Sequence, residues 1–295
     1  HNWALVEKLP ALIGDFMWAG WDYLGEAGGG SWAYGTRHAP YLKPYPQLTS
    51  GTGALDITGQ PGAPALLAQT VWGLLDSPAI AVRPLDVTPG PVAKTSWRST
   101  DAIPSWSWRG HEGRTAEIEV YSAAEQIELR LNGRSLGRKA AGADHGFVAR
   151  FKAPYKAGTL QAIALNGNAV VGRSELRSSG PVSLRLRTET ESLTPDSQAL
   201  AYLSLELADD TGILDSTATD VITLEVEGPA ELAGFGSGAT STTETFTHHA
   251  HGTYRGRALA AIRSTGQPGT VRVTARSGTY GTAVINITAE VGVSV

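Results

Sequence analysis

Alternation of apolar and polar residues is clearest in the middle of the chain. Residues 115–121 (TAEIEVY) and 126–131 (QIELRL) alternate with a period of two, which places the apolar side chains on one face of a strand. The Asn132-Gly133 pair that follows is a preferred turn of a two-residue hairpin. Three further apolar runs continue this rhythm, at residues 147–151, 160–165 and 169–171. Short strands at this spacing predict a β-sandwich of about 80 residues.

The same pattern returns after residue 180. Strand-like segments occupy residues 182–188, 199–208, 221–226, 258–262, 270–275 and 282–287. Roughly six or seven strands in about 110 residues predict a second sandwich. Between them, residues 209–212 (DDTG) predict a turn, and residues 234–238 (GFGSG) predict a flexible loop.

The first 90 residues follow a different pattern, rich in tryptophan and glycine. Apolar residues recur at helical spacing within residues 63–75, and Pro64 lies in the first turn, where its missing N–H has no cost. This segment predicts a helix. The bulky, β-prone residues 14–23 (GDFMWAGWDY) predict a buried strand.

These changes of pattern divide the chain into three predicted domains. They span residues 1–90, 91–179 and 180–295, with a proline-rich linker at 87–92 (VTPGPV). The second and third domains share a class, but no internal repeat relates them. The prediction is a mainly β protein with two immunoglobulin-like sandwiches after a strand–helix segment.

Composition indicates a globular protein and argues against several partners. Hydrophobic residues make up 41% of the chain and charged residues 18%, with a net charge of −4. Neither a disordered tail nor a nucleic-acid or membrane partner is therefore expected. The chain contains no cysteine, which excludes disulfides and thiolate metal sites. We find no signal peptide and no apolar run of roughly 18 to 20 residues, so the compartment is left unknown between cytoplasm and secretion.

The candidate site lies in the predicted strand and the loop after it. If residues 16–23 are extended, Trp18 and Asp22 share one face, and Glu26 follows at the start of a glycine-rich loop. An indole that stacks on pyranose C–H groups beside carboxylates that accept hydroxyl hydrogens is typical of a sugar site. The alternative is that the tryptophans belong to a core and the acids only solvate a loop.

Residues 14–26 (GDFMWAGWDYLGE) closely resemble the last barrel strand and following loop of glycoside hydrolase family 2 enzymes, the β-galactosidase and β-glucuronidase family. Residues 54–59 (ALDITG) resemble the loop before that family's last barrel helix, and residues 64–75 resemble the helix. The later domains resemble the family's C-terminal sandwiches through residues 103–108, 127–137, 200–203, 226–232 and 254–259. The resemblance thus implies that the first segment is the end of a (β/α)₈ barrel.

The resemblance also implies a retaining mechanism, which uses two carboxylates roughly 5 to 5.5 Å apart. In the family both carboxylates lie on earlier barrel strands, and a complete barrel takes about 250 residues. We therefore expect a C-terminal fragment that carries no catalytic residue and is inactive alone. By resemblance, Trp18 lines the floor of the sugar subsite, and Asp22 and Glu26 match the acids of the motif. We expect these three residues to bind substrate.

For the parent enzyme, the resemblance implies hydrolysis of β-linked glycosides, with β-galactosides as the leading substrate and no cofactor. The expected partners are the carbohydrate substrate, the missing N-terminal catalytic portion, and a second copy in a homo-oligomer. The sequence departs from the family after Glu26, where residues 27–30 (AGGG) stand instead of the frequent proline. This difference leaves the substrate preference open.

Two other groups of residues suggest different chemistry. Trp106 and Trp108 lie two residues apart and would face the same way on a strand, as a sugar-binding platform or as core packing. A platform of this kind would favour the competing function, a non-catalytic carbohydrate-binding or adhesive module. His248, His249 and His251 lie in a threonine-rich segment that predicts an exposed loop, and we expect no metal site there.

Overall fold

The computed structural model describes residues 2–290, and the chain forms two compact units. The first unit comprises the residues up to Trp106 together with Gly110–Arg177. The second comprises Ser107–Arg109 and the residues from Ser178 onward. Most residues in regular elements are in strands, which confirms the mainly β class. No helix within residues 2–290 is long and apolar enough to cross a membrane.

The two α-helices found within residues 2–290 belong to the first unit. Helix α1 spans Asn2–Lys8, and helix α2 spans Ala63–Val71, which confirms the helix predicted from residue 63. Gly62 is the N-cap of α2, and Pro64 lies in the first turn. The helix ends four residues earlier than predicted because Gly73, with φ of 68°, adopts the left-handed conformation that commonly terminates helices.

The first unit holds three antiparallel sheets. Its strands are β1 (Trp32–Tyr34), β2 (Ala79–Val82), β3 (Val92–Lys94), β4 (Thr115–Tyr121), β5 (Gln126–Leu131), β6 (Arg134–Ala140), β7 (Val148–Pro154), β8 (Thr159–Asn166) and β9 (Ala169–Arg177). The sheet orders are β1-β3, β2-β4-β7 and β6-β5-β8-β9. The larger two sheets supply the inward-facing apolar residues of the predicted sandwich, including Ile118, Ile127 and Leu160, each at most 1% exposed. A short 3₁₀ helix, Ala143–His145, precedes β7.

Helix α2 packs against the sheet that contains β2 and β4. Ala63, Ala81, Ala102 and Tyr121 form a buried cluster at this contact. The Tyr121 hydroxyl donates to the Glu119 carboxylate, which satisfies its buried donor. Burial, together with that carboxylate, raises the pKa of Tyr121 above its usual value. The buried cluster thus holds α2 against the sandwich that follows it in the chain.

The prediction of a buried strand at residues 14–23 is wrong. The segment has no regular strand, and Trp21 makes only a single bridge, to Leu55. Phe16 is 99% exposed and Trp18 62% exposed. A strand requires a regular ladder of backbone hydrogen bonds. Among the described residues, the backbone hydrogen bonds of this segment involve only residues 19–23, which pair irregularly with residues 50–55.

The second unit is a two-sheet sandwich. Its strands are β10 (Ser183–Thr188), β11 (Ser192–Leu193), β12 (Leu200–Ala208), β13 (Val221–Glu227), β14 (Ala230–Gly236), β15 (Ala250–Gly252), β16 (Arg257–Ser264), β17 (Gly269–Ser277) and β18 (Gly281–Ala289). The sheet orders are β10-β12-β16-β14 and β11-β18-β17-β13-β15. All pairs are antiparallel except β11 with β18. All six predicted strands are present, and the turn at residues 209–212 is confirmed.

The flexible loop predicted at residues 234–238 is wrong for its first half. Strand β14 continues to Gly236, and Phe235 within it is 1% exposed. A Cβ atom at Gly236 would lie 2.6 Å from the Phe246 ring. The glycine therefore allows close packing on a strand rather than flexibility.

Candidate functional site

Two stretches of the first unit, residues 19–31 and 48–55, run side by side and form what we call the glycine platform. Backbone hydrogen bonds join them along their length, for example from Gly30 N–H to Ser50 O (2.6 Å). The Thr95 hydroxyl also donates to Gly29 O at 2.7 Å, which ties the platform to the residues after β3. Gly28, Gly29 and Gly30 are buried, so the platform is a packed layer.

Glycine is required where the two stretches meet most closely. A Cβ atom on Gly30 would lie 2.3 Å from the carbonyl oxygen of Gly51, and one on Gly53 would lie 2.3 Å from the backbone nitrogen of Asp22. Both obstacles are backbone atoms, which cannot rotate away as a side chain can. The local sequence thus fixes the distance between the stretches.

Asp22 braces the platform from inside. The residue is 8% exposed, and its two carboxylate oxygens lie 2.9 and 3.1 Å from the backbone nitrogen of Gly51, which donates to them. The Arg98 guanidinium donates to the Gly51 carbonyl oxygen at 2.8 Å. Gly51 is therefore held from both sides. Sequence reasoning missed Arg98 because it lies far along the chain in a segment without a motif.

Trp18 lies beside the platform with its indole largely in solvent. Its Nε1–H donates to the Tyr23 hydroxyl at 3.1 Å, and that hydroxyl donates to Glu26 Oε2 at 2.7 Å. The Trp18 and Tyr23 rings meet edge to face, with centroids 6.1 Å apart. The structure thus brings Trp18 and Glu26 together through Tyr23, which sequence reasoning did not single out although it lies within the same motif.

Positive charge lies next to the platform. The Lys43 backbone N–H donates to Ala27 O at 2.9 Å, and a Cβ atom on Gly28 would lie 3.0 Å from the Lys43 side chain. Burial, with Arg98 nearby as the second cause, lowers the pKa of the Lys43 ammonium below its usual 10.5.

Trp106 and Trp108 do not form a shared platform. Trp106 belongs to the first unit, is 1% exposed, packs on Tyr155 and donates to Lys156 O at 3.1 Å. Trp108 belongs to the second unit and is fully buried, with the Arg255 guanidinium 5.4 Å from its ring centroid. Core packing is therefore the correct interpretation, and these indoles give no support to a carbohydrate-binding module.

The histidine segment is only partly exposed. His251 lies on β15, is 0% exposed and stacks on Phe246, with Nδ1 2.9 Å from Gly252 O. The prediction of an exposed loop is wrong for His251. Among residues 2–290, no group of three or more histidine or acidic side chains is arranged to hold a metal ion.

Each of the two units contains a segment that matches a known protein family model. Residues 184–286 match the family model described as glycoside hydrolase family 2 C-terminal domain 5, and residues 113–172 match a domain of unknown function, DUF4982. The β-galactosidase BoGH2A of Bacteroides ovatus is 27% identical over 290 residues, which is 97% of this chain and 29% of that protein.

Solved structures agree with this match. A glycosyl hydrolase family 2 member from Bacteroides cellulosilyticus superimposes with a TM-score of 0.87 at 32% identity, over 98% of this chain and 37% of that one. A β-glycosidase from Bacteroides vulgatus, at 22% identity and a TM-score of 0.74, shares the fold over 97% of this chain and 32% of its own.

The chain spans 29% to 37% of the lengths of these three proteins. The chain is a C-terminal portion of a glycoside hydrolase family 2 protein, as its sequence motifs predict.

Proposed function

We propose that this chain completes the active site of a retaining β-glycosidase, in which Trp18 lines the sugar subsite. The observation that carries the proposal is Trp18, which is 62% exposed and whose indole is held by a hydrogen bond at the edge of a packed platform. An indole face that is exposed yet oriented is suited to stack on the C–H groups of a pyranose ring. The similarity to the β-galactosidase BoGH2A supports β-galactosides as the substrate.

Asp22 and Glu26 are proposed as the polar contacts of the same subsite. An ionised carboxylate can accept about four hydrogen bonds. The bonds from Gly51 to Asp22 and from Tyr23 to Glu26 therefore leave each carboxylate with unused acceptor capacity. Glu26 is exposed, whereas Asp22 is 8% exposed and offers a sugar hydroxyl only the small part of its surface that reaches solvent. Neither is proposed as a nucleophile or a catalytic acid, and the 295-residue chain is proposed to be inactive alone.

The partners that we propose follow from exposed apolar side chains near Trp18. Ile13 is 104% and Phe16 99% exposed, relative to a fully exposed reference residue. Large apolar side chains exposed at neighbouring positions of the chain are typical of segments that another polypeptide covers. We propose that the N-terminal catalytic portion covers them, that the intact enzyme forms a homo-oligomer, and that the hydrolysis needs no cofactor.

The test is a hydrolysis assay with nitrophenyl β-galactoside and β-glucuronide. It compares the 295-residue chain, the full-length product of the gene, and the full-length Trp18→Ala variant. We expect activity only in the full-length protein and a fall in kcat/KM of about 30-fold in the variant, which corresponds to roughly 2 kcal/mol at a binding hot spot. Trp97→Ala is the matched control, because Trp97 is a half-exposed tryptophan of the same unit outside the platform.

Two results would contradict the proposal. Activity of the 295-residue chain would place the catalytic carboxylates among Asp15, Asp22, Glu26 and Asp56. Full activity of the Trp18→Ala variant would remove Trp18 from the subsite.

A further inference from the structure

The three polar groups beside the platform can be connected in only one direction. The Trp18 indole has a single polar atom, which is a donor, and an ionised Glu26 carboxylate is an acceptor only. Tyr23 lies between them, with its hydroxyl 3.1 Å from Trp18 Nε1 and 2.7 Å from Glu26 Oε2. Its proton must therefore point to Glu26, and its lone pair must face Trp18.

The platform fixes the inner end of this chain of hydrogen bonds. Ser50 N–H donates to the Tyr23 carbonyl oxygen at 3.0 Å, and Gly29 N–H donates to the Glu26 carbonyl oxygen at 3.1 Å. Tyr23 is half-buried, whereas Trp18 is mostly in solvent. The Trp18 side chain therefore depends on the Tyr23 hydroxyl and on the edge-to-face ring contact for its orientation.

We propose that Tyr23 and Glu26 are positioning residues that hold the Trp18 indole in the rotamer that presents its face to the sugar. This inference rests on the proposed function of Trp18. Glu26 acts through Tyr23: its negative charge orients the hydroxyl proton and makes the hydroxyl oxygen a better acceptor for the indole N–H. A side chain that is ordered before the substrate binds loses less rotamer freedom on binding, so the pair raises affinity through Trp18, in addition to the sugar contact proposed for Glu26.

The hydrogen bonds can be tested in the 295-residue chain without any activity. The chain has eight tryptophans, each of which gives one indole N–H signal in a ¹⁵N-correlated NMR spectrum. The signal of Trp18 is the one that is missing from the spectrum of Trp18→Phe. We expect Tyr23→Phe to shift the Trp18 signal upfield and to speed its exchange with water. Glu26→Gln, which keeps an acceptor, is expected to shift it less than Glu26→Ala. Tyr202→Phe and Glu112→Gln, at exposed positions, are the controls.

The effect on binding is tested in the full-length enzyme with a double-mutant cycle. We expect Tyr23→Phe to lower kcat/KM about five-fold, the loss of one neutral hydrogen bond, mainly through a higher KM. In a Trp18→Ala background the same change is expected to have no further effect, because the residue that it positions is gone. A merely structural role of Tyr23 would lower activity equally in both backgrounds.

The outcomes separate this inference from the proposed function. If Trp18→Ala impairs the enzyme and Tyr23→Phe does not, the positioning role is overturned and the subsite stands. If Trp18→Ala is fully active, the subsite and its positioning fail together. An unchanged Trp18 indole signal in Tyr23→Phe would overturn the hydrogen-bond chain itself.

Discussion

Replacing Asp209 with asparagine is expected to destabilise the second unit. Asp209 is 4% exposed, and its Oδ1 accepts hydrogen bonds from Thr211 N–H (2.9 Å), Thr211 O–H (2.7 Å) and Ile213 N–H (3.0 Å). Oδ2 accepts one from Gly180 N–H at 2.8 Å. Asparagine can keep its oxygen toward Thr211, but its amide nitrogen then faces the Gly180 N–H. One charge-assisted bond is lost and two donors meet, for which we expect a cost of about 2 kcal/mol.

The pH dependence of this effect has a definite sign. Burial alone would raise the pKa of Asp209, but the hydrogen bonds from Gly180, Thr211 and Ile213 outweigh it and lower the pKa from 3.8 to about 2. The unfolded chain binds the proton more readily, so the stabilisation is complete above the unfolded value of 3.8 and is lost as the pH falls through about 2. The difference between wild type and Asp209→Asn therefore shrinks on acidification.

Hydrogen exchange followed by mass spectrometry measures this difference within the second unit. The amides of β12 report the free energy of opening, and Asp210→Asn is the matched control because Asp210 is the exposed neighbour. We expect the control to stay within about 0.5 kcal/mol of wild type. Equal effects of the two substitutions, or a difference that grows as the pH falls below 3.8, would refute the reasoning.

Two further substitutions test the platform and the core of the second unit. Gly30→Ala is expected to lower the free energy of opening of residues 48–55, measured by hydrogen exchange, by more than about 2 kcal/mol, because its Cβ would lie 2.3 Å from a backbone oxygen. The control is Gly20→Ala, whose Cβ meets nothing within 4 Å and should leave the exchange unchanged. Trp108→Ala is expected to cost about 3 to 5 kcal/mol in denaturant unfolding, and the half-exposed Trp97→Ala less than about 1 kcal/mol; comparable losses would contradict the assigned burial.

Local signals predicted the elements that depend on local geometry. The hairpin at Asn132-Gly133 formed as expected, with φ of 50° and 81° at the two residues, and both values lie in the left-handed region that these residue types tolerate. Alternation likewise located the long strands of both sandwiches. A turn or a half-buried strand is determined by residues that are consecutive in the chain, so a single sequence is enough to predict it.

Contacts between distant segments were not predictable in this way. The Asp22 carboxylate accepts a hydrogen bond from Gly51, 29 residues away, and no sequence pattern in either segment predicts this contact. Glycine signals were also ambiguous, because Gly236 marks close packing on Phe246 where a loop was expected. The alternation rule failed at Trp106 and Trp108 because they do not lie in a strand, and the two indoles enter different units.

The short segment Ser107–Arg109 belongs to the second unit but is translated well before the rest of that unit. Arg109 leaves the ribosome 71 residues ahead of Gly180, whose carbonyl oxygen accepts a 2.7 Å hydrogen bond from its guanidinium. The Trp108 side chain therefore remains unburied while the intervening residues are translated. An apolar side chain that stays exposed in a nascent chain is a site for misfolding or chaperone binding. A gene that begins at residue 178 would never supply this indole, so the second unit cannot be inherited intact without the sequence that precedes it.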